Sequence, residues 1–111
     1  LTQSGAWTPT IGAGVTVVGT SSVYANYSYS ANLCTVNGYI QSTTSVAMAA
    51  ANTVMISNLP FTSAADALGS ATNAGRNAIT GIYTPSVTTN IQNSAVIGAT
   101  SRIYFSLTYP I

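Results

Sequence analysis

Only three side chains in this sequence carry formal charge: Asp66, Arg76 and Arg102. Asp66 and Arg76 fall within one stretch of small residues, TSAADALGSATNAGRN (62–77), and Arg102 lies 26 positions past Arg76. A guanidinium offers five donors in a rigid planar fork, suited to a phosphate or the carboxylate of an acidic sugar. With the amides of Asn73 and Asn77 beside it, Arg76 could present such donors to a glycan or a lipopolysaccharide group. Asp66, Asn73, Arg76 and Asn77 are therefore the candidate ligand-binding residues. A plainer reading competes with this one, in which Asp66 and Arg76 form a surface ion pair worth at most about 1 kcal/mol. The sequence assigns Arg102 no partner.

The remaining inventory argues against most catalysis. Without His or Glu, and with the single Cys34, one copy of the chain cannot assemble a transition-metal site. One carboxylate is a poor start for Ca²⁺, and it is half of what glycoside hydrolysis usually needs. Serine is abundant but has no histidine to activate it. The expectation is a protein that is not an enzyme, with no metal and no cofactor. Two separated arginines and no lysine argue against nucleic acid. The longest apolar stretch, VAMAAA at 46–51, falls far short of the roughly 20 residues a membrane-spanning helix needs.

A chain that is 47% hydrophobic and 3% charged is built to fold, and its polar surface must come from Ser, Thr, Asn, Gln and Tyr. Its length suits one domain, 1–111. The opening LTQSGAWTP lacks the basic and apolar regions of a signal peptide, so we expect a processed product or a domain of a longer chain. Cys34 reads as a small buried hydrophobe.

Period-two alternation dominates. In RIYFSLTYPI (102–111), Ile103, Phe105, Leu107 and Tyr109 share one face, and Arg102, Tyr104, Ser106 and Thr108 share the other. In NLCTVNGYIQ (32–41), Cys34, Val36 and Ile40 share a face, and Gly38 suggests a bulge or a close backbone approach. TVMISNLPF places Val54 and Ile56 opposite Met55 and Ser57 and stops near Asn58. Further strands are expected at 14–19, 22–30, 77–84 and 94–99. Short Gly-, Ser-, Asn- and Pro-rich breaks favour an antiparallel sandwich or small barrel. One helical turn is expected at SAADALG, capped by Ser63 and stopped by Gly69, within a long loop from 62 to 77.

The aromatics admit two uses. Trp7 and Phe61 either stack on sugars or close the core, and the adjacent Pro9 and Pro60 favour closure. For Tyr24, Tyr27, Tyr29 and Tyr39 the choice lies between core or subunit interface and an exposed platform. Tyr27 and Tyr29 share a face with Val23 and Ala25, which favours the former.

Taken in order, GAWTPTI (5–11), YSYSANLCTVNGYI (27–40), VMISNLPFTSA (54–64) and IYFSLTY (103–109) resemble the distal receptor-binding domains of bacteriophage tail fibres. In those chains a G-x-W-T-P-T entry is followed by a G-N-x-x-T-V-x-G strand and an I-S-G-L-P-F-T segment. Ala31 and Asn58 stand here where glycines are usual. Asn58 tolerates a positive φ, whereas Ala31 does so poorly.

The resemblance implies an all-β, jelly-roll-like sandwich in three copies at the end of a fibre. It also implies an extracellular, virion-borne domain that attaches to a host surface glycan or protein and joins the rest of the fibre. Near-zero charge independently leads us to expect an oligomer, for which symmetry statistics alone would favour two copies. The rival functions are a trimerisation or decoration domain without a ligand, and a carbohydrate-binding module of a larger enzyme.

Overall fold

The computed structural model describes residues 2–111, and the alternation at the C-terminal end sets its organisation. The last strand, β10 (Ile97–Pro110), buries Ile103, Phe105, Leu107 and Tyr109 on one face. It pairs antiparallel with the central strand β5 (Leu33–Met48), placing Ile103 opposite Ile40, Leu107 opposite Val36 and Tyr109 opposite Cys34. Directly opposite residues point to the same side of a sheet, so these pairs form one continuous apolar surface.

On its other side β5 pairs with β4 (Ser21–Ser30) and then with β3 (Val15–Val18), which breaks from β4 around Gly19. β1 (Thr2–Trp7) pairs with β4. Beyond β10 follow β7 (Ala67–Asn73), β8 (Ile79–Thr84), β9 (Ile91–Asn93), β6 (Val54–Ser57) and β2 (Thr10–Ile11). All pairings are antiparallel and belong to one sheet.

The two ends of that strand order are β1 and β2, which only Thr8 and Pro9 separate in sequence. Such a link is too short to cross an open sheet of this breadth, so the sheet must roll until its edges come together. The roll brings Met55, Ile56, Ile82 and Ile91 against Val36, Ile40, Ile103 and Leu107 in a single buried cluster.

Small residues set the curvature where Trp7 closes the roll. Trp7, Ala25, Gly38 and Phe105 are direct neighbours across β1, β4, β5 and β10. Ala25 and Gly38 leave space for the Trp7 and Phe105 rings to meet edge to face at 6.3 Å. Gly38 is the close approach that the sequence suggested: a Cβ there would run into the Tyr24 carbonyl oxygen. The Trp7 indole donates to the Asn58 carbonyl at 2.6 Å. Phe61 packs against the core with Tyr27 and Tyr29 at ring separations of 6.0 and 5.4 Å. Both aromatics therefore close the core.

Four expectations need correction. Among the described residues no helix forms, and SAADALG leads directly into β7. The expected loop at 62–77 is a strand across its middle, Ala67–Asn73. Its small residues are required by packing, since a Cβ on Gly69 would strike the Ser106 carbonyl oxygen of β10. In β6, Met55 and Ile56 are both buried, because an irregularity between Val54 and Ile56 breaks the alternation. Ala31 does take the left-handed conformation, with φ 53° beside Asn32 at 64°, in the two-residue turn joining β4 to β5. Asn58 takes φ 66°, preserving the turn as expected.

Candidate functional site

β7 divides the predicted site. Asp66 precedes the strand, whereas Asn73, Arg76 and Asn77 lie at its other end, about 23 Å of extended chain away. Asp66 and Arg76 therefore do not form the expected pair. Instead, the Asp66 carboxylate accepts from the Ser86 amide at 2.7 Å.

Asn73 and Asn77 are committed to the β7–β8 turn. The Asn73 side-chain oxygen accepts from the amides of Asn77 (3.1 Å) and Ala78 (3.3 Å), and its nitrogen donates to the Asn77 side chain at 2.7 Å. These bonds hold Arg76 at φ 57°, a conformation unfavourable for a long side chain. From there the Arg76 guanidinium lies over the Tyr104 ring, 5.7 Å from its centre.

Tyr104 belongs to a row that the sequence did not reveal. Tyr24, Tyr39, Tyr104, Thr72 and Ile79 are direct neighbours across β4, β5, β10, β7 and β8. They stand on the face opposite the core. The rings form a continuous stack, with centres 5.1 Å apart for Tyr24 and Tyr39 and 5.6 Å for Tyr39 and Tyr104. Tyr24 is 56% exposed, at the β4 end.

Arg102, one row along the strands, lays its guanidinium 4.5 Å from the centre of the Tyr39 ring. Its Nε donates to Gln41 Oε1 at 3.0 Å, and the Gln41 amide donates to Ser22 at 3.0 Å. A further guanidinium nitrogen donates to the Tyr104 hydroxyl at 3.4 Å, and this bond raises the arginine pKa further. Both arginines in the chain thus lie against one tyrosine stack.

Hydroxyl-rich depressions flank the stack. One, of about 140 Å³, lies among Ser70, Thr72, Tyr104 and Ser106. The other, of about 290 Å³, is lined by Thr20, Ser21, Ser22, Gln41, Ser42 and Thr43. A tyrosine stack that is exposed at Tyr24 and half-buried at Tyr39 and Tyr104, with flanking hydroxyls and two guanidiniums, suits a sugar ring bearing a negative group. Among the described residues no three His, Cys, Asp or Glu side chains come together to hold a metal.

The remaining titratable groups are structural. Tyr109 is fully buried, accepting from the Phe61 amide at 3.3 Å and donating to the Phe61 carbonyl at 3.0 Å. Burial pushes its phenol well above the ordinary range, and contact with Cys34 adds to the shift. Burial also raises the Cys34 thiol, partly offset by its contact with Tyr109. Comparison with known protein families, curated proteins and solved structures finds no significant match.

Proposed function

We propose that this is a receptor-binding domain of a phage tail fibre, attaching the virion to a host surface glycan through the Tyr24–Tyr39–Tyr104 stack. The observation that carries the glycan reading is the placement of both cations against one tyrosine row, exposed at Tyr24, on the solvent face of a sheet whose neighbouring outward positions on β4, β5 and β10 are mostly Ser, Thr and Asn. Tyrosine faces receive the C–H surface of a sugar, and the guanidiniums select an acidic substituent. The fibre assignment rests on the sequence resemblance. We read the rolled sheet as the jelly-roll-like sandwich that this resemblance implies, assembled in three copies around the fibre axis and joined to the rest of the fibre outside the cell.

A second reading has its own observation. Leu68 and Ile79 are 80% and 72% exposed on the same sheet face as the tyrosines. Exposed apolar residues there favour a subunit interface, making the domain a trimerisation or decoration element. Binding of the labelled protein to host cells separates the readings. The attachment reading expects saturable binding that weakens with added salt and falls with Arg76→Ala or Arg102→Gln at unchanged oligomer size. Dissociation of the oligomer by either variant, without a specific effect on cell binding, favours the interface.

A further inference from the structure

Both guanidiniums stand on one side of the tyrosine row. Arg102 is in register with Gln41 and Ser22 across β10, β5 and β4, and Arg76 sits in the β7–β8 turn past Thr72, toward the same side. The larger hydroxyl-lined depression lies on this side too. It opens where β3 and β4 part around Gly19, and both Ser22 and Gln41 belong to its lining. Its rim is already tied together: the Thr20 amide donates to the Thr43 hydroxyl and the Thr43 amide to the Thr20 carbonyl, each at 3.0 Å, while the Ser42 hydroxyl donates to the Val18 carbonyl. At about 290 Å³ it lies just under the size of pockets that take a whole ligand, so it suits a polar substituent.

Arg102 is oriented without being neutralised. The Tyr39 ring fixes its plane, Gln41 takes its Nε hydrogen and Tyr104 one hydrogen of Nη1. The outer Nη1 and Nη2 donors remain, on the edge of the fork that receives a carboxylate in bidentate fashion. Among the described residues the one side-chain carboxylate, Asp66, accepts from Ser86 and precedes the opposite end of β7. A cation held this firmly with no acid beside it is prepared for an acid from outside.

We propose that the acidic sugar is a ulosonic acid, with its carboxylate on Arg102 and its polyhydroxy side chain in the depression beside Gln41, a proposal that rests on the glycan reading of the tyrosine stack. In such a sugar the carboxylate and the side chain sit on the two carbons that flank the ring oxygen, so one ring edge presents both. With the ring on Tyr24 and Tyr39, that edge faces the row Ser22, Gln41 and Arg102, the carboxylate toward β10 and the side chain toward β4. Gln41 spans the two subsites, accepting from Arg102 on one side and donating to Ser22 on the other, each at 3.0 Å. A uronic acid satisfies only one of them, because its second flanking carbon carries nothing but the glycosidic oxygen. The depression, lined by hydroxyls and one amide and by no charge, matches an uncharged polyol.

The test is NMR titration of the folded, isotope-labelled protein with the methyl glycosides of a nonulosonate (N-acetylneuraminate), a deoxyoctulosonate, galacturonate and neutral galactose, and with the nonulosonate whose side chain has been shortened by mild periodate and borohydride. The expected result is that one ulosonate binds about tenfold more tightly than galacturonate and shifts the Ser22 and Gln41 amides, the tighter of the two naming the source of the sugar. Shortening the side chain should cost the nonulosonate about fivefold, and Arg102→Gln should bring either ulosonate down to the level of galactose. Ser21→Leu, at an exposed position in the lining, should weaken the full-length ulosonate by about tenfold and the shortened one by clearly less. Thr20→Leu repeats this at a second exposed lining position should the first variant fold poorly. Equal affinity for galacturonate and both ulosonates, or indifference to both Leu variants, overturns the side-chain subsite and leaves the glycan reading standing. Full ulosonate affinity in Arg102→Gln overturns the carboxylate assignment. If none of these sugars binds, this inference falls: host-cell binding that is lost on enzymatic deglycosylation of the cells then keeps the glycan reading, and binding that survives it overturns that reading as well.

Discussion

Removing one oxygen atom, in Tyr109→Phe, tests how the segment Asn58–Ala64 is held to the sheet. The ring stays in place, so its packing against Cys34 and the core is retained. What is lost is a hydroxyl that accepts from the Phe61 amide at 3.3 Å and donates to the Phe61 carbonyl at 3.0 Å. A net hydrogen bond contributes about 0.5 to 1.5 kcal/mol, and the longer of these two belongs at the low end. The two backbone groups left behind are only part-buried and partly recover water, so the expected loss is about 2 kcal/mol. Urea denaturation should show a midpoint lower by about 1 M with an unchanged slope. Hydrogen exchange at the Phe61 amide should accelerate more than at Ile103, in the centre of β10. A stability loss under about 0.5 kcal/mol, or no selective exchange at Phe61, would refute the view that this hydroxyl clamps the segment.

Three further outcomes follow from the same structure. Ala31→Gly should stabilise the domain by about 0.5 to 1 kcal/mol in thermal or urea unfolding, because glycine removes the left-handed strain at φ 53° but costs some chain entropy. Asn93→Ala should cost about 3 kcal/mol in the same assay. The buried Asn93 amide accepts from the Thr53 amide and hydroxyl at 3.1 and 3.0 Å, and donates to the carbonyls of Ala50 and Ala95 at 2.8 Å each. Stability should be flat from about pH 5 to 8, where no side chain present ordinarily titrates. Cys34 and Tyr109 are held protonated in the folded state, so their contribution is complete below their unfolded values. It is lost as pH rises from about 9, at up to about 1.4 kcal/mol per pH unit for each group, and Tyr109→Phe removes the tyrosine share.

What the sequence made legible was each strand's own alternation. Ile103, Phe105, Leu107 and Tyr109 are inward as their spacing requires, and Tyr104 was placed correctly on the face opposite them. The tyrosine row was hidden because it depends on pairing. Tyr24, Tyr39 and Tyr104 lie far apart in sequence, and only the register of β4, β5 and β10 makes them neighbours. β7 was misread for a different reason: ALGSATN lacks an apolar alternation because close approach to β10 demands small residues at Gly69 and Ala71. That misreading turned the two ends of a strand into one loop and joined Asp66 to Asn73, Arg76 and Asn77. Arg76 alone remains in the candidate site.

The central claim is that the tyrosine and arginine face meets the host. Its most direct test is the binding of the folded protein to host cells with and without Tyr24→Ala, which removes the most exposed ring of the stack and leaves the core untouched. Stacking of this kind contributes about 1 kcal/mol or more, so binding should weaken by roughly five- to tenfold. A control substitution at an exposed apolar residue outside the row, Val96→Ser, should leave binding unchanged. Undiminished cell binding by a folded Tyr24→Ala protein, or an equal loss from Val96→Ser, would contradict the account.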